Sequence, residues 1–206
     1  MNEEQFIRWM RAYAAELHTN KEMLTELDSA IGDGDHGLNM DRGFQVVLTK
    51  LEVPQTGGIG GIAKAISTTL ISTVGGASGP LYGTFFLKAA IALTGKTECT
   101  AQEYAAALEK GCAGIQALGK AQQGDKTMLD AIIPAVAAFK QTAENGFDFT
   151  ACAAAAAQAA KNGMEATIPI VAKKGRASYL GERSAGHQDP GATSAYLFFK
   201  TAADTL

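Results

Sequence analysis

Cysteine is scarce in this chain of 206 residues: Cys99, Cys112 and Cys152 are few, odd in number and far apart. Such spacing excludes a disulfide framework and a zinc knuckle, and it suggests reduced thiols in a cytosolic protein. Aromatic residues make up only 7%, although 47% of residues are hydrophobic and alanine is abundant. That balance disfavours a β-sandwich and favours closely packed helices. A large excess of one charge is also missing: the formal net charge of -3 gives no sign of a nucleic-acid or membrane-surface partner. No apolar run approaches membrane-spanning length, and the opening Met1-Asn2-Glu3-Glu4 does not read as a signal peptide.

What is present is helical periodicity. Phe6, Ile7, Met10, Tyr13, Ala14 and Leu17 form an apolar stripe. Thr19-Asn20-Lys21-Glu22 reads as a capping box that opens a second helix ending near Asp28. Further helices are expected from His36 to Lys50, Ile59 to Val74 and Pro80 to Leu93. Another follows the capping box Thr100-Ala101-Gln102-Glu103 as far as Leu118. Thr127 to Ala143 reads as a helix kinked at Pro134, and Thr150 to Lys173 as a long helix bent at Pro169. Asp189-Pro190 looks like an N-cap followed by proline at the first position of the last helix. No strand pattern emerges. The expected fold is all-α: one domain over residues 1–206, built from about eight helices.

The breaks between helices carry the chemistry. Asp28, Asp33 and Asp35 sit within one short segment with glycines at 32, 34 and 37. Carboxylates about 4 Å apart repel by about 1 kcal/mol per pair in water, and by more near a protein surface. A hard cation such as Mg²⁺ or Ca²⁺ offsets that repulsion, and glycine lets the backbone turn sharply around it. An EF-hand fails, because Gly37, Leu38 and Phe44 stand where its ligands and glycine belong. The letters G-x-G-x-x-G also occur here, but the preceding segment is helical and two spacer residues are acidic, which does not suit a dinucleotide site. The alternative is a solvated acidic turn with Asp33 or Asp35 as an N-cap.

Thr73-Val74-Gly75-Gly76-Ala77-Ser78-Gly79-Pro80 leads into a helix, and glycine-rich turns at helix starts bind anions. No lysine follows, so it is no Walker loop; a close helix–helix turn would need small residues too. Gly124-Asp125-Lys126-Thr127-Met128 lies at a helix start, where an Asp or Thr N-cap is sufficient explanation. The connection from Lys173 to Gly191 is long for a compact domain, and such loops are usually functional or disordered. Tyr179 and Leu180 argue for docking, Arg176 and Arg183 can each clamp an anion, and His187 is a base or a packing residue. A carboxylate cluster, a glycine-rich turn and an arginine-bearing loop are the parts of a nucleotide-phosphate site.

Leu27-Asp28 with Ile31 through Asn39, Gly75 through Pro80, Gly124 through Met128, and Gly175 through Arg183 with Gly186 through Gly191 resemble, in that order, the L subunit of dihydroxyacetone kinase. The resemblance implies an antiparallel barrel of eight helices with a nucleotide site at one end. Asp28, Asp33 and Asp35 would hold two Mg²⁺ ions that bridge to the phosphates of ADP or ATP. His36, Gly37, Leu38 and Asn39 would line the nucleotide site, and Ala77 and Ser78 would cradle phosphate. Gly119, Thr127 and Met128 would lie near adenine and ribose. Arg176 and the turn Asp189-Pro190-Gly191 would close over the nucleotide.

Within that family some members are ATP-dependent kinases fused to a substrate domain, and others are separate subunits of a phosphoenolpyruvate-dependent system. A lone L unit of this length points to the second kind. Its ADP would remain bound as a cofactor, take a phosphoryl group from a phosphohistidine on the carrier subunit M, and pass it to dihydroxyacetone on the substrate-binding subunit K. Two other functions remain open: the nucleotide subunit of an ATP-dependent kinase for another short ketose, or a nucleotide-loaded module that binds a transcriptional regulator. The expected location is cytoplasmic.

Overall fold

The first helix, α1, spans Glu3–Ile31 and is the longest in the chain. Asn2 caps it through a capping box with Gln5, and Phe6, Trp9, Met10, Tyr13, Leu17 and Leu24 form its buried face. In this computed structural model, which describes residues 1–206, the two helices expected before Asp28 are therefore one. The supposed second capping box does not cap anything. Thr19 Oγ1 donates to Ala15 O at 3.0 Å and Asn20 Nδ2 to Glu16 O at 2.8 Å. These side chains bond back to the preceding turn, and no glycine or proline interrupts the helix.

Seven further α-helices follow: α2 (His36–Leu51), α3 (Gly58–Thr73), α4 (Ser78–Ala92), α5 (Ala101–Gly119), α6 (Leu129–Glu144), α7 (Phe149–Ala166) and α8 (Pro190–Thr205). Thr100 caps α5 with its capping box to Glu103, and Asp189 caps α8 with Pro190 at the first position. α7 ends at Ala166 and does not continue through Pro169 to Lys173. The residue before a proline is pushed out of the helical region, and the proline itself lacks a donor. The chain from 167 to 189 then forms a strap, which is not unstructured: Arg176–Ser184 is a 3₁₀ segment interrupted at Gly181.

Each helix packs on the next, and α8 packs on α1, so the eight close into a ring. One continuous apolar core includes residues of all eight. Its aromatic centre lies along the α1–α8 seam, where Trp9 and Phe198 rings stand 4.5 Å apart and Tyr13 and Phe198 rings 5.3 Å apart. The polar ends of these rings are matched: Trp9 Nε1 donates to Phe198 O at 3.1 Å, and Tyr13 OH to Ser194 O at 3.1 Å. A small second cluster of Ile31, Ala172 and Ala177, with Leu180 packed on it, seats the strap against the end of α1. No helix is long and apolar enough to cross a membrane.

Candidate functional site

Four connections meet at one end of the barrel: 32–35 before α2, 74–77 before α4, 120–128 before α6 and 167–189 before α8. Residues from all four line one cleft. Four helix starts therefore converge there, each bringing main-chain N–H groups without helical partners and the positive end of its dipole. The start of α4 has no side-chain cap, whereas the first N–H groups of α2 are taken by the Asp28 carboxylate. A cleft bounded in this way suits an anion.

The connection before α2 is the acidic loop. Carboxylate oxygens of Asp28, Asp33 and Asp35 lie within 4.8 Å of one another. Asp28 is buried in the last turn of α1, and its Oδ2 accepts the main-chain N–H of Asp35 at 2.9 Å and of His36 at 3.1 Å. The loop is thus wrapped around Asp28. Gly34 makes the turn at φ 74°, and a Cβ there would press on Ser29 Oγ. Asp35 occupies the N-cap position of α2 but makes no capping hydrogen bond, so helix capping does not account for its carboxylate. Asp33 is the most exposed of the three, and its Oδ2 lies 2.9 Å from Arg176 Nη2. Three hard oxygen donors clustered in the wall of an anion cleft fit a divalent cation such as Mg²⁺.

Behind the acidic loop runs a buried hydrogen-bonded chain. Ser194 Oγ donates to Gly191 O at 3.0 Å, which leaves it only lone pairs for Tyr82 OH at 2.8 Å and His36 Nε2 at 2.9 Å. Satisfying every partner assigns the proton of His36 to Nε2, so Nδ1 accepts from Ser78 Oγ at 3.0 Å. Burial lowers the pKa of His36, against the opposing pull of Asp28 and Asp35, which favours this neutral ring. Burial pushes Tyr82 up to about 12, so it remains a phenol. The hydroxyl of Ser78 therefore faces His36, and what Ser78 offers an anion is its main-chain N–H.

Thirteen of the sixteen positions that the resemblance assigns to the site line the cleft: Asp28, Asp33, Asp35, His36, Asn39, Ala77, Ser78, Thr127, Met128, Arg176, Asp189, Pro190 and Gly191. The other three stand behind or beside it. Gly37 is buried against α1, where a Cβ would collide with Lys21 O. Leu38 is 55% exposed on the outer face of α2. Gly119 ends α5 beside Leu81, whose side chain does line the cleft. Burial is the first cause that raises the Asp189 carboxyl to about 7; Asp130 and Asp28 add to it, while the Ala192 N–H and Lys126 oppose it. His187 is exposed and its side chain makes no hydrogen bond within the protein.

Sequence reasoning gave no role to Lys126, Tyr82, Asp130 or Ser194. Asp130 Oδ1 accepts Gly124 N–H at 2.6 Å and Oδ2 accepts Thr127 N–H at 2.7 Å, which shapes the turn before α6. An acid in the first turn of a helix is a legible signal for this, while Ser194 and Tyr82 meet only through the tertiary fold.

The family model of the DAK2 domain matches residues 30–204. The chain belongs to the DAK2 domain family. This DAK2 domain is 44% identical over 203 residues to the ADP-binding subunit DhaL of the PEP-dependent dihydroxyacetone kinase of Escherichia coli (strain K12), covering 98% of this chain and 97% of that one. It is 42% identical over 197 residues to the ADP-binding subunit DhaL of the PTS-dependent dihydroxyacetone kinase of Lactococcus lactis subsp. lactis (strain IL1403), covering 93% and 92%. The crystal structure of the dihydroxyacetone kinase from C. freundii in complex with AMP-PNP and Mg²⁺ matches the whole of this DAK2 domain with a TM-score of 0.77 and 26% identity. This chain spans 34% of that longer enzyme. The resemblance drawn from the loop motifs is borne out, as is the all-α barrel.

Proposed function

We propose that this protein is the ADP-binding subunit of a phosphoenolpyruvate-dependent dihydroxyacetone kinase, working in the cytoplasm. One observation carries the reading: a cleft that brings four helix starts and a cluster of three carboxylates together. A positive rim suits phosphate and the carboxylates suit Mg²⁺, so the two halves of a magnesium nucleotide have adjoining places. The relatives of nearly equal length bear the name of an ADP-binding subunit of such a kinase.

In this reading Asp28, Asp33 and Asp35 would hold two Mg²⁺ ions, the helix start at Ala77-Ser78 would receive phosphate, and the turn Asp189-Pro190-Gly191 would close over the nucleotide. Mg²⁺ held by these carboxylates would supply neutralisation of phosphate charge and polarisation of the group being transferred. Arg176 adds a planar fork of donors on the open side. Met128, Thr127 and Leu81 give the nucleoside a wall that combines apolar surface with one hydroxyl. The neutral His36 ring holds the Ser78 side chain back, so that main-chain N–H groups face the anion. A phosphohistidine carrier subunit brings the phosphoryl group to this end, and a second subunit carrying dihydroxyacetone takes it away.

The experiment is reconstitution. The chain alone should neither hydrolyse ATP quickly nor phosphorylate dihydroxyacetone. Activity should appear only with a substrate-binding subunit and a phosphohistidine donor, and isotope-labelled free ATP should not label the product at the catalytic rate. Labelling at that rate would make it the nucleotide subunit of an ATP-dependent ketose kinase. Nucleotide binding without any product would leave the regulatory module.

A further inference from the structure

Lys126 carries a positive charge where local rules disfavour one. It sits just before α6, and a cation near a helix start opposes the dipole. It is 1% exposed, and its φ of 62° is in the left-handed region that a residue with a Cβ seldom adopts. One arrangement accounts for all three features. Lys126 Nζ donates to Ile170 O at 3.1 Å, Ser184 O at 2.6 Å and His187 O at 2.6 Å. An ammonium has three hydrogens, and all three are engaged. None is left for a phosphate, so this lysine is not an anion ligand although it lines the cleft.

The three carbonyls belong to the two arms of the strap: Ile170 to the arm leaving α7, Ser184 and His187 to the arm entering α8. The arms are also tied to each other. Gly186 N–H donates to Ile168 O at 2.7 Å, and Ala172 N–H to Ser184 Oγ at 2.8 Å. Lys173 N–H donates to Asp125 O at 3.1 Å, which joins the first arm to the turn that carries Lys126. Beyond this knot the tip of the strap rests on the end of α1 through Ala177 and Leu180, with the Tyr179 side chain 88% exposed. From the tip Arg176 extends to Asp33.

We propose that Lys126 is the positioning residue of the strap: its ammonium gathers main-chain carbonyls from both arms, fixes where Arg176 stands over the acidic loop, and so sets how slowly nucleotide leaves. The proposal rests on the cleft being a nucleotide site. Three carbonyls gathered around a single point need a compact donor, which the flat fork of arginine reproduces only in part. An apolar side chain would leave buried carbonyls without partners, while the ring of helices would keep its apolar core.

The test compares Lys126→Met and Lys126→Arg with the parent protein. The readouts are the dissociation rate of a fluorescent ADP analogue in excess Mg²⁺ and hydrogen exchange along the chain. Lys126→Met should release the analogue about tenfold faster or more. Its exchange should accelerate at residues 168–187 and not in the core helices. Lys126→Arg, which keeps charge and donors, should fall between the two. A folded Lys126→Met protein whose release rate stays within about twofold of the parent overturns the proposal. So does acceleration spread evenly over the core helices, since that marks a merely structural loss. If Lys126→Met does not fold, the parent protein decides. The amides of Ala172 and Gly186 should be protected together, well above that of Tyr179, and equal exchange at all three overturns the proposal. A parent protein that protects those amides but binds no ADP analogue leaves the clasp standing and removes the nucleotide reading.

Discussion

Arg176 Nη2 stands 2.9 Å from Asp33 Oδ2, so the strap before α8 is ion-paired to the acidic loop after α1. Both side chains are substantially exposed, and exposed pairs contribute little to stability. The importance of the pair is positional. It places a fork of donors at the mouth of a site that suits a phosphate and its metal ions.

That placement makes Asp33 sensitive to loss of charge. Asp33→Asn keeps the shape of the side chain and removes its charge. Even outer-shell partners of a metal ligand are typically worth ten- to hundredfold, so this variant should lose nucleotide affinity by about hundredfold or more. Equilibrium dialysis with Mg²⁺-ADP measures the effect. Affinity and phosphoryl transfer at the parent level would remove Asp33 from the metal site.

Arg176 and Arg183 both belong to the strap, but only Arg176 lines the cleft. Arg176→Lys keeps the charge and loses the planar fork, so it should weaken nucleotide retention more than Arg183→Lys does. Dissociation rates of bound ADP measured on the two variants side by side give the answer. Equal rates would deny Arg176 its special place.

A nucleotide held by metal should stabilise the barrel. A ligand present at one hundred times its Kd adds about 2.7 kcal/mol to a folded state that alone binds it. For a chain of this size that corresponds to a Tm shift of roughly 5–10 °C. EDTA should lower the Tm by about that much, and Mg²⁺ with ADP should restore it. A melting curve indifferent to EDTA speaks against a metal-held nucleotide.

Asp189 gives the site a pH dependence whose sign can be worked out. Burial raises its carboxyl from the ordinary value of 3.8 to about 7. Between those two values the folded state holds a proton that the unfolded state has released. Stability from this group is therefore complete below 3.8 and is lost as pH rises through about 7. Asn is also a good N-cap, so Asp189→Asn should keep the cap to Ala192 and lose the pH dependence. Measured by Tm without nucleotide, the variant should gain on the parent from pH 4 to about pH 7 and stay level above that. A constant difference across the range would mean that Asp189 is ionised throughout.

Much of this was legible in the residues. The aspartate loop, the glycine-rich turn, the Thr100 capping box and the Asp189-Pro190 helix start are local patterns, and each stands where its pattern placed it. Errors arose where a local pattern had two outcomes. Thr19 and Asn20 can open a helix or bond back within one, and an uninterrupted apolar face decided for continuity. Pro169 can bend a helix or end it; here the chain leaves the helix at Ala166, three residues earlier. The chain from Tyr82 through Ser194 to His36 was not legible at all, since its members meet only when α8 comes against α2 and α4. Lys126 left one sign, a cation near a helix start, where an acid would be expected.

The most direct test of the account is the nucleotide content of the purified, desalted protein. After acid extraction, chromatography should recover close to one ADP per chain, and prior treatment with EDTA should remove it. Folded protein that yields no ADP, and takes none up when Mg²⁺ and ADP are supplied, would contradict the account.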